Sequence, residues 1–427
     1  MSARSGRFYL AAALVGGLAG LVGAAFHALL DAAIAGRSML QPWLAGLPVP
    51  GWLVLMALGA LCLNAGLWLV RRYAPETAGS GIQEVEAILD TRQPLRWRRV
   101  LPVKFSAGLL AIGPGLALGR EGPTVHMGAA LGGMVSDHLG RGPGHARALV
   151  AAGAAAGLAA AFNAPLAAII FVTEELREQF DYRFTTLQAV TLASVMAVIV
   201  SGALLGQGPQ LPVPSLPPDG LGMAELPLFL VLGIVTGLIG VLFNRLVIAG
   251  VRHVRGLSGA QHHGLAAAAG VLLGGLLWYL PMATGEGTTL VETLLRDRTA
   301  LLVLAGLLVV RFATTIASYS LGLPGGIFAP MLALGTLIGA AFAGLASLAL
   351  PAIELAPASF ALAAMGALFA ATVRAPLTGI VLVIELTASV AFALPIIVAC
   401  LTATFTAQAL GGRPIYSALR ALRTGAG

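Results

Sequence analysis

An arginine and a glutamate stand side by side between glycines in Gly119-Arg120-Glu121-Gly122-Pro123, within the apolar stretch Leu109 to Leu131. An acidic or basic side chain at the centre of a bilayer costs about 2.5–3.5 kcal/mol, so such a pair calls for a use. The glycines let backbone N–H groups approach a ligand, and Pro123 suits the first turn of a helix. The pattern predicts a broken helix whose start carries roughly +0.5 charge and unpaired donors, which attract anions. Glu121 then competes with an anion for that end. A neutralising ion pair at a loop is the plainer alternative.

Two more segments carry chemistry of the same kind. Gly79-Ser80-Gly81-Ile82 offers a hydroxyl and accessible N–H groups before a helix start, suited to an anion or simply to an N-cap. Glu174 and Glu175 end the apolar run Leu166 to Val172, just before Arg177. Adjacent helical residues point about 100° apart, so one acid can face the interior and the other solvent or Arg177. A helix-end charge pair is the bland reading of those two.

An anion held about 4 Å from the Glu121 carboxylate would be repelled by about 4 kcal/mol at an effective dielectric near 20. Each nearby helix N-terminus favours the carboxylate by about 0.3–2 kcal/mol. The effects are comparable, so anion occupancy and protonation of Glu121 are coupled. Charged, Glu121 blocks the anion's place; protonated, it swings aside.

The elements that must hold these residues cross a membrane. Of the 427 residues, 58% are hydrophobic and 10% charged, and the mean hydropathy is +0.91. A soluble domain carries about 25% charge. Phe8 to Phe26 and Gly51 to Val70 are uncharged runs of 19 and 20 residues, each long enough to span. With 55 glycines and 24 prolines, some must interrupt or closely pack membrane helices. The net charge of +7 comes from arginine clusters between apolar runs and speaks of topology; no nucleic-acid module is present. Arg4 and Arg7 precede the first span and Arg413, Arg420 and Arg423 follow the last, so both termini are expected to be cytoplasmic. Arg92, Arg96, Arg98 and Arg99 mark another cytoplasmic stretch. Cys62 and Cys400 lie in apolar runs and read as free thiols, neither disulfide nor metal ligand. The first span is too long for a signal peptide.

The Pro-rich stretch 206–220 divides the chain into a first membrane repeat, 1–205, and a second, 221–427. Residues 164–176 align with 375–387 at an offset of 211, with six of thirteen identities, among them Glu174 with Glu385. At an offset of 207, Gly119 to Pro123 meets Gly326-Ile327-Phe328-Ala329-Pro330. Glycine and proline recur, whereas Glu121 meets Phe328 and Glu175 meets Leu386. The scaffold is doubled and the ionisable chemistry sits in the first half. Paired broken segments in two halves predict a transporter with a midplane site. No soluble regulatory domain is expected.

In order along the chain, Gly79-Ser80-Gly81-Ile82, Gly119-Arg120-Glu121-Gly122-Pro123, Gly326-Ile327-Phe328-Ala329-Pro330 and Pro414-Ile415-Tyr416 resemble the motifs of the CLC family of chloride channels and chloride/proton exchangers. The resemblance implies an all-α integral membrane protein with a CLC-type fold: two inverted-topology repeats of tilted and broken helices. It implies a homodimer in the bilayer with one anion pathway per subunit, multi-pass in the cell membrane (the inner membrane if bacterial). Ser80 and Tyr416 would give hydroxyls, and Ile327 and Phe328 backbone N–H groups, to a central chloride. The amides around Arg120, Glu121 and Gly122 would form the neighbouring anion position, with Glu121 as external gate. Glu175 matches the internal proton-transfer acid of exchangers, with Glu174 beside it, and Lys104 a basic residue near the inner pathway. Gln83 departs from the Pro common in the family, at a position that bears on chloride against nitrate.

The expected function is therefore secondary-active exchange of chloride for protons, with no cofactor and no enzyme activity. A passive chloride channel of the same fold is the alternative. An intramembrane protease using Ser80 would need Gly-x-Ser-Gly, and position 78 is Ala.

Overall fold

The computed structural model describes residues 3–46, 49–90, 94–140, 142–206, 208, 210–211, 225–351 and 355–424. Arg92 and most of the Pro-rich stretch 206–220 lie outside them.

The first half forms α1 (Ala3–Ala45), α2 (Gly51–Tyr73), α3 (Ile82–Leu89), α4 (Trp97–Ile112), α5 (Glu121–His138), α6 (Pro143–Phe162), α7 (Pro165–Glu175) and α8 (Phe184–Leu205). The second forms α9 (Leu226–Arg255), α10 (Gly259–Tyr279), α11 (Thr288–Arg296), α12 (Leu301–Ser320), α13 (Phe328–Ala349), α14 (Pro357–Val373), α15 (Pro376–Thr387) and α16 (Ala393–Ala409). A last helix, α17 (Ile415–Thr424), has no counterpart. Seven of these helices are long and apolar enough to cross a membrane. The others are shorter or less apolar, as expected where glycine and proline break the chain. Leu10, Leu302 and Val309 turn outward with the other exposed apolar side chains, as a lipid-facing surface requires.

Packing repeats with the sequence. α5 lies on α6 as α13 lies on α14, and α1 on α8 as α9 on α16; α6 with α8 matches α14 with α16. The local breaks match too. α6 ends in a left-handed Asn163, one residue before Ala164-Pro165 opens α7. α14 ends in a left-handed Arg374, and Ala375-Pro376 opens α15 with nearly the same backbone angles. Proline fits there because the first helical N–H has no intrahelical acceptor. Asn tolerates the left-handed region; Arg374 is held in it by its donation from Nη2 to the Gly412 carbonyl at 2.7 Å.

Two contacts express the inversion directly. Gly119 N–H donates to Gly326 O and Gly326 N–H to Gly119 O, both at 2.7 Å, an isolated antiparallel bridge between the two broken loops. Glu385, near the end of α15, accepts from Leu166 N and Ala167 N at the start of α7, at 3.0 and 2.7 Å. Glu174, near the end of α7, accepts from Leu377 N and Thr378 N at the start of α15, at 3.1 and 2.8 Å. Each carboxylate caps the other helix, and charge-assisted bonds of this kind are the stronger ones.

The α5–α6 contact is backbone on backbone. A Cβ built on Gly153 would lie 2.1 Å from the Gly128 carbonyl oxygen. Gly153→Leu is therefore expected to force the helices apart and cost about 1–3 kcal/mol or more. Its melting temperature in detergent should fall well below that of Gly264→Ala, where a Cβ meets open space.

Candidate anion and proton site

Four helix starts meet at one place. Ser80 and Gly81 lead into α3, with Gly81 left-handed at φ +96°. A Cβ on Gly81 would strike the His126 ring at 2.6 Å, so only glycine fits. Lys104, fully buried on α4, fixes this loop by donating Nζ hydrogen bonds to Thr77 O at 2.9 Å and Gly79 O at 2.7 Å. The charge expected near the inner pathway is thus spent on holding the backbone that presents Ser80.

α5 begins at Glu121 against this loop. A Cβ on Gly122 would lie 2.5 Å from Ser80 Oγ, and one on Gly326 2.9 Å from Gly122 N, so α5, α13 and the Ser80 loop are in direct contact. The Glu121 side chain folds back over Gly119, whose own Cβ would collide with Oε2 at 2.1 Å. Backbone N–H groups of Glu121 itself and of Ala329 point at the carboxylate. Glu121 is buried and its Oε2 has no partner among the described residues. Its carboxylate therefore sits where donors of two opposed helices converge, the kind of place that holds anions.

Below it lie the hydroxyls. Ser80 and Tyr416 are fully buried, and neither oxygen has a hydrogen-bond partner among the described residues. Tyr416 is in the first turn of α17, with its hydroxyl turned toward that of Ser80 and within electrostatic reach of Glu121, Glu175 and Tyr319. Ile327 caps α13, and no described carbonyl accepts from the N–H of Ile327 or Phe328 outside that helix. The Phe328 ring closes one wall with Phe162, Phe171 and Phe369, at centroid distances of 5.1, 5.9 and 4.2 Å. An apolar wall beside unpaired donors strengthens their hold on an anion.

Arg120 leaves this centre. Its Nη1 lies 3.8 Å from Asp31 and 3.7 Å from Glu286, so only its backbone borders the anion position.

Two cavities lie near this centre, each with arginines on its wall. A cavity of about 260 Å³ runs past Arg71, Arg255 and Arg423 to Gly79, with Gln83 and Tyr319 on its wall. A smaller one, about 20 Å³, is lined by Glu174, Glu175, Arg177, Glu178 and Arg374. Glu175 turns inward from the second and its carboxylate faces that of Glu86 on α3. Arg420 Nε stands 3.4 Å from Glu86, and Arg423 bonds Glu84. Glu174 does not share this arrangement, because its oxygens are taken by the α15 cap and by Thr378 Oγ1 at 2.8 Å.

The residues singled out in sequence thus divide. Ser80, Glu121, Gly122, Ile327, Phe328 and Tyr416 come together, Glu175 lies within electrostatic reach of Tyr416, and Arg120 and Glu174 point elsewhere. Glu86, Tyr319 and Glu286 were not singled out. Glu86 had one sequence signal: with Glu84 it is one of two acids in a short, otherwise mostly apolar helix.

A sequence profile described as voltage gated chloride channel matches residues 58–408. The chain belongs to that family, the CLC family. Among CLC relatives, the H(+)/Cl(-) exchange transporter ClcA of Vibrio parahaemolyticus is 46% identical over 417 residues, covering 96% of this chain and 88% of the relative. That of Cronobacter sakazakii is 45% identical, covering 96% and 89%. The crystal structure of a slow cyanobacterial Cl-/H+ antiporter superposes with a TM-score of 0.93 at 36% identity, covering 98% of each chain. In CLC terms the four converging helix starts of this chain are its membrane core, and its inverted repeats are those of the CLC fold.

Proposed function

We propose that this CLC protein exchanges chloride for protons, driven by either gradient. The observation that carries the reading is the Glu121 carboxylate lying among the N–H groups of two opposed helix starts, with the buried Ser80 and Tyr416 hydroxyls near it. A charged Glu121 occupies the anion position. Protonated, it loses its claim on those donors and yields to chloride, which then rests against Ser80, Tyr416 and the N–H groups of Ile327 and Phe328.

Chloride and protons part at Tyr416. The arginine-lined cavity suits an anion, whereas the Glu86–Glu175 pair can hold one proton between two carboxylates better than two charges. Glu175 is the internal proton-transfer acid in this reading, and Glu174 keeps α15 in place. Names of the ClcA relatives and of the cyanobacterial antiporter support exchange over passive conduction.

The arginine-rich face, with both chain ends, is the cytoplasmic side by the positive-inside rule. Residues 1–205 and 221–427 act as the two repeats about the site. The protein assembles as a homodimer: Leu166 and Leu377, equivalent across the repeats and 58% and 56% exposed, give α7 and α15 a face that can meet its own copy.

The test is transport in liposomes. An imposed chloride gradient should drive protons uphill, and a proton gradient should drive chloride. Chloride flux with no proton movement would make the protein a passive channel instead.

A further inference from the structure

We propose that Glu286 is the outer proton donor to Glu121, the group through which protons from the face opposite the arginine-rich one reach the gate. The inference rests on the exchange reading above.

Glu286 sits in the turn Gly285-Glu286-Gly287 before α11, with both glycines left-handed. The turn is fastened on several sides. Arg311, fully buried on α12, donates to Thr284 O at 2.6 Å and Gly285 O at 2.5 Å. Gly285 N–H donates to Gly115 O at 2.8 Å, and Thr314 Oγ1 to Ala283 O at 2.9 Å. A Cβ on Gly287 would meet Ala333 at 2.6 Å. This much anchoring holds one carboxylate in one place.

That place is the approach to Glu121. Both carboxylates line the same cavity of about 50 Å³, whose other walls include Phe162, Leu211 and Val291. Such a space has room for a water or a short file of them. The Glu286 side chain is 13% exposed, with Arg120 Nη1 3.7 Å from its Oε1 and the Thr288 hydroxyl donating to Oε1 at 3.3 Å. Further out, Arg120 is also 3.8 Å from Asp31, itself 58% exposed and 3.2 Å from His27. The charged groups around Glu286 are thus Arg120, Arg311 and Glu121, with Asp31 and His27 beyond Arg120. A guanidinium keeps its protons, so Arg120 and Arg311 cannot pass one on. Among the described residues, Glu286 is the one acid on the cavity wall besides Glu121.

The step balances simply. The Glu286 carboxylic acid gives its proton, directly or through a water, to the Glu121 carboxylate. Glu286 is left as a carboxylate beside Arg120 and takes its next proton from the outer solution.

In liposomes, Glu286→Gln is expected to slow proton-coupled chloride exchange about tenfold or more, below the roughly 10²–10⁴-fold attached to a positioned proton donor. Glu286→Asp should recover part of that loss. Added to Glu121→Gln, the substitution should leave chloride flux unchanged, because no proton step is left to slow. Exchange by Glu286→Gln at the wild-type rate overturns the inference alone. So does an equal slowing of chloride flux in the Glu121→Gln background, which would make Glu286 an anchor for Arg120. Wild-type chloride flux without protons overturns the exchange reading and this inference with it. Monodispersity of each variant in detergent separates a slow transporter from an unfolded one, and Glu286→Asp, which keeps the charge beside Arg120, carries the test if Glu286→Gln does not fold.

Discussion

Glu121→Gln is expected to abolish proton movement while leaving chloride flux running at every pH. Glutamine keeps the size of the side chain and removes its charge, so it imitates the protonated acid permanently. In the wild type, chloride flux should rise as the outer solution becomes more acidic, because each protonation takes the carboxylate off the N–H groups of Glu121 and Ala329. In the variant the donors never face a competing charge, and the pH profile should be flat. Proton transport should fall by at least about 10²-fold, since the proposed mechanism has Glu121 both occupy the anion position and carry the proton. Paired chloride and pH electrodes on the same vesicles read both quantities. Retention of proton pumping would mean that the proton crosses without Glu121, and the competition between carboxylate and halide would lose its role.

The reach of the sequence follows the physics of each residue. Glycine and proline shape the backbone locally, so Gly119 and Gly326 advertise a doubled loop, and the structure joins them by reciprocal 2.7 Å bonds. Ser80, Glu121, Ile327, Phe328 and Tyr416 were legible for the same reason: each sits in or beside a helix break that the local sequence declares. The identity of Glu174 and Glu385 across the repeats was visible too, but its meaning was not. A carboxylate at a helix end looks alike whether it moves protons or caps a distant helix, and only the crossing of α7 and α15 decides for Glu174.

What stayed hidden was brought together by topology. Glu86 and Glu175 are 89 positions apart, on α3 and at the end of α7, and meet only in the fold. Glu286 comes to Arg120 from the other repeat, carried by a turn that Arg311 fixes from α12. Neither meeting leaves a spacing in the chain. Lys104 shows the opposite case: its burial in an apolar helix was noticeable, yet its task is to hold the Thr77 and Gly79 carbonyls.

In the proposed exchange, the pair Glu86 and Glu175 decides how protons leave. Glu175→Gln is expected to stop proton movement while chloride still crosses, because the anion's cavity past Arg71 and Arg255 does not touch Glu175. A single amide cannot accept a proton from Glu121 and release it toward Arg177 and Glu178, so the loss should again approach 10²-fold or more. Glu86→Gln should be milder, since Glu175 keeps its own opening to the arginine-rich face. Glu174→Gln is the control. It weakens three hydrogen bonds at the start of α15 and should cost about 1 kcal/mol of stability, read as a lower melting temperature, with proton coupling intact. The reverse result, coupling lost in Glu174→Gln and kept in Glu175→Gln, would move the proton path from the α3 side of α7 to the α15 side. Chloride would then have to share its walls with the cap that joins the two repeats, and the separation of the two openings would have no part in exchange.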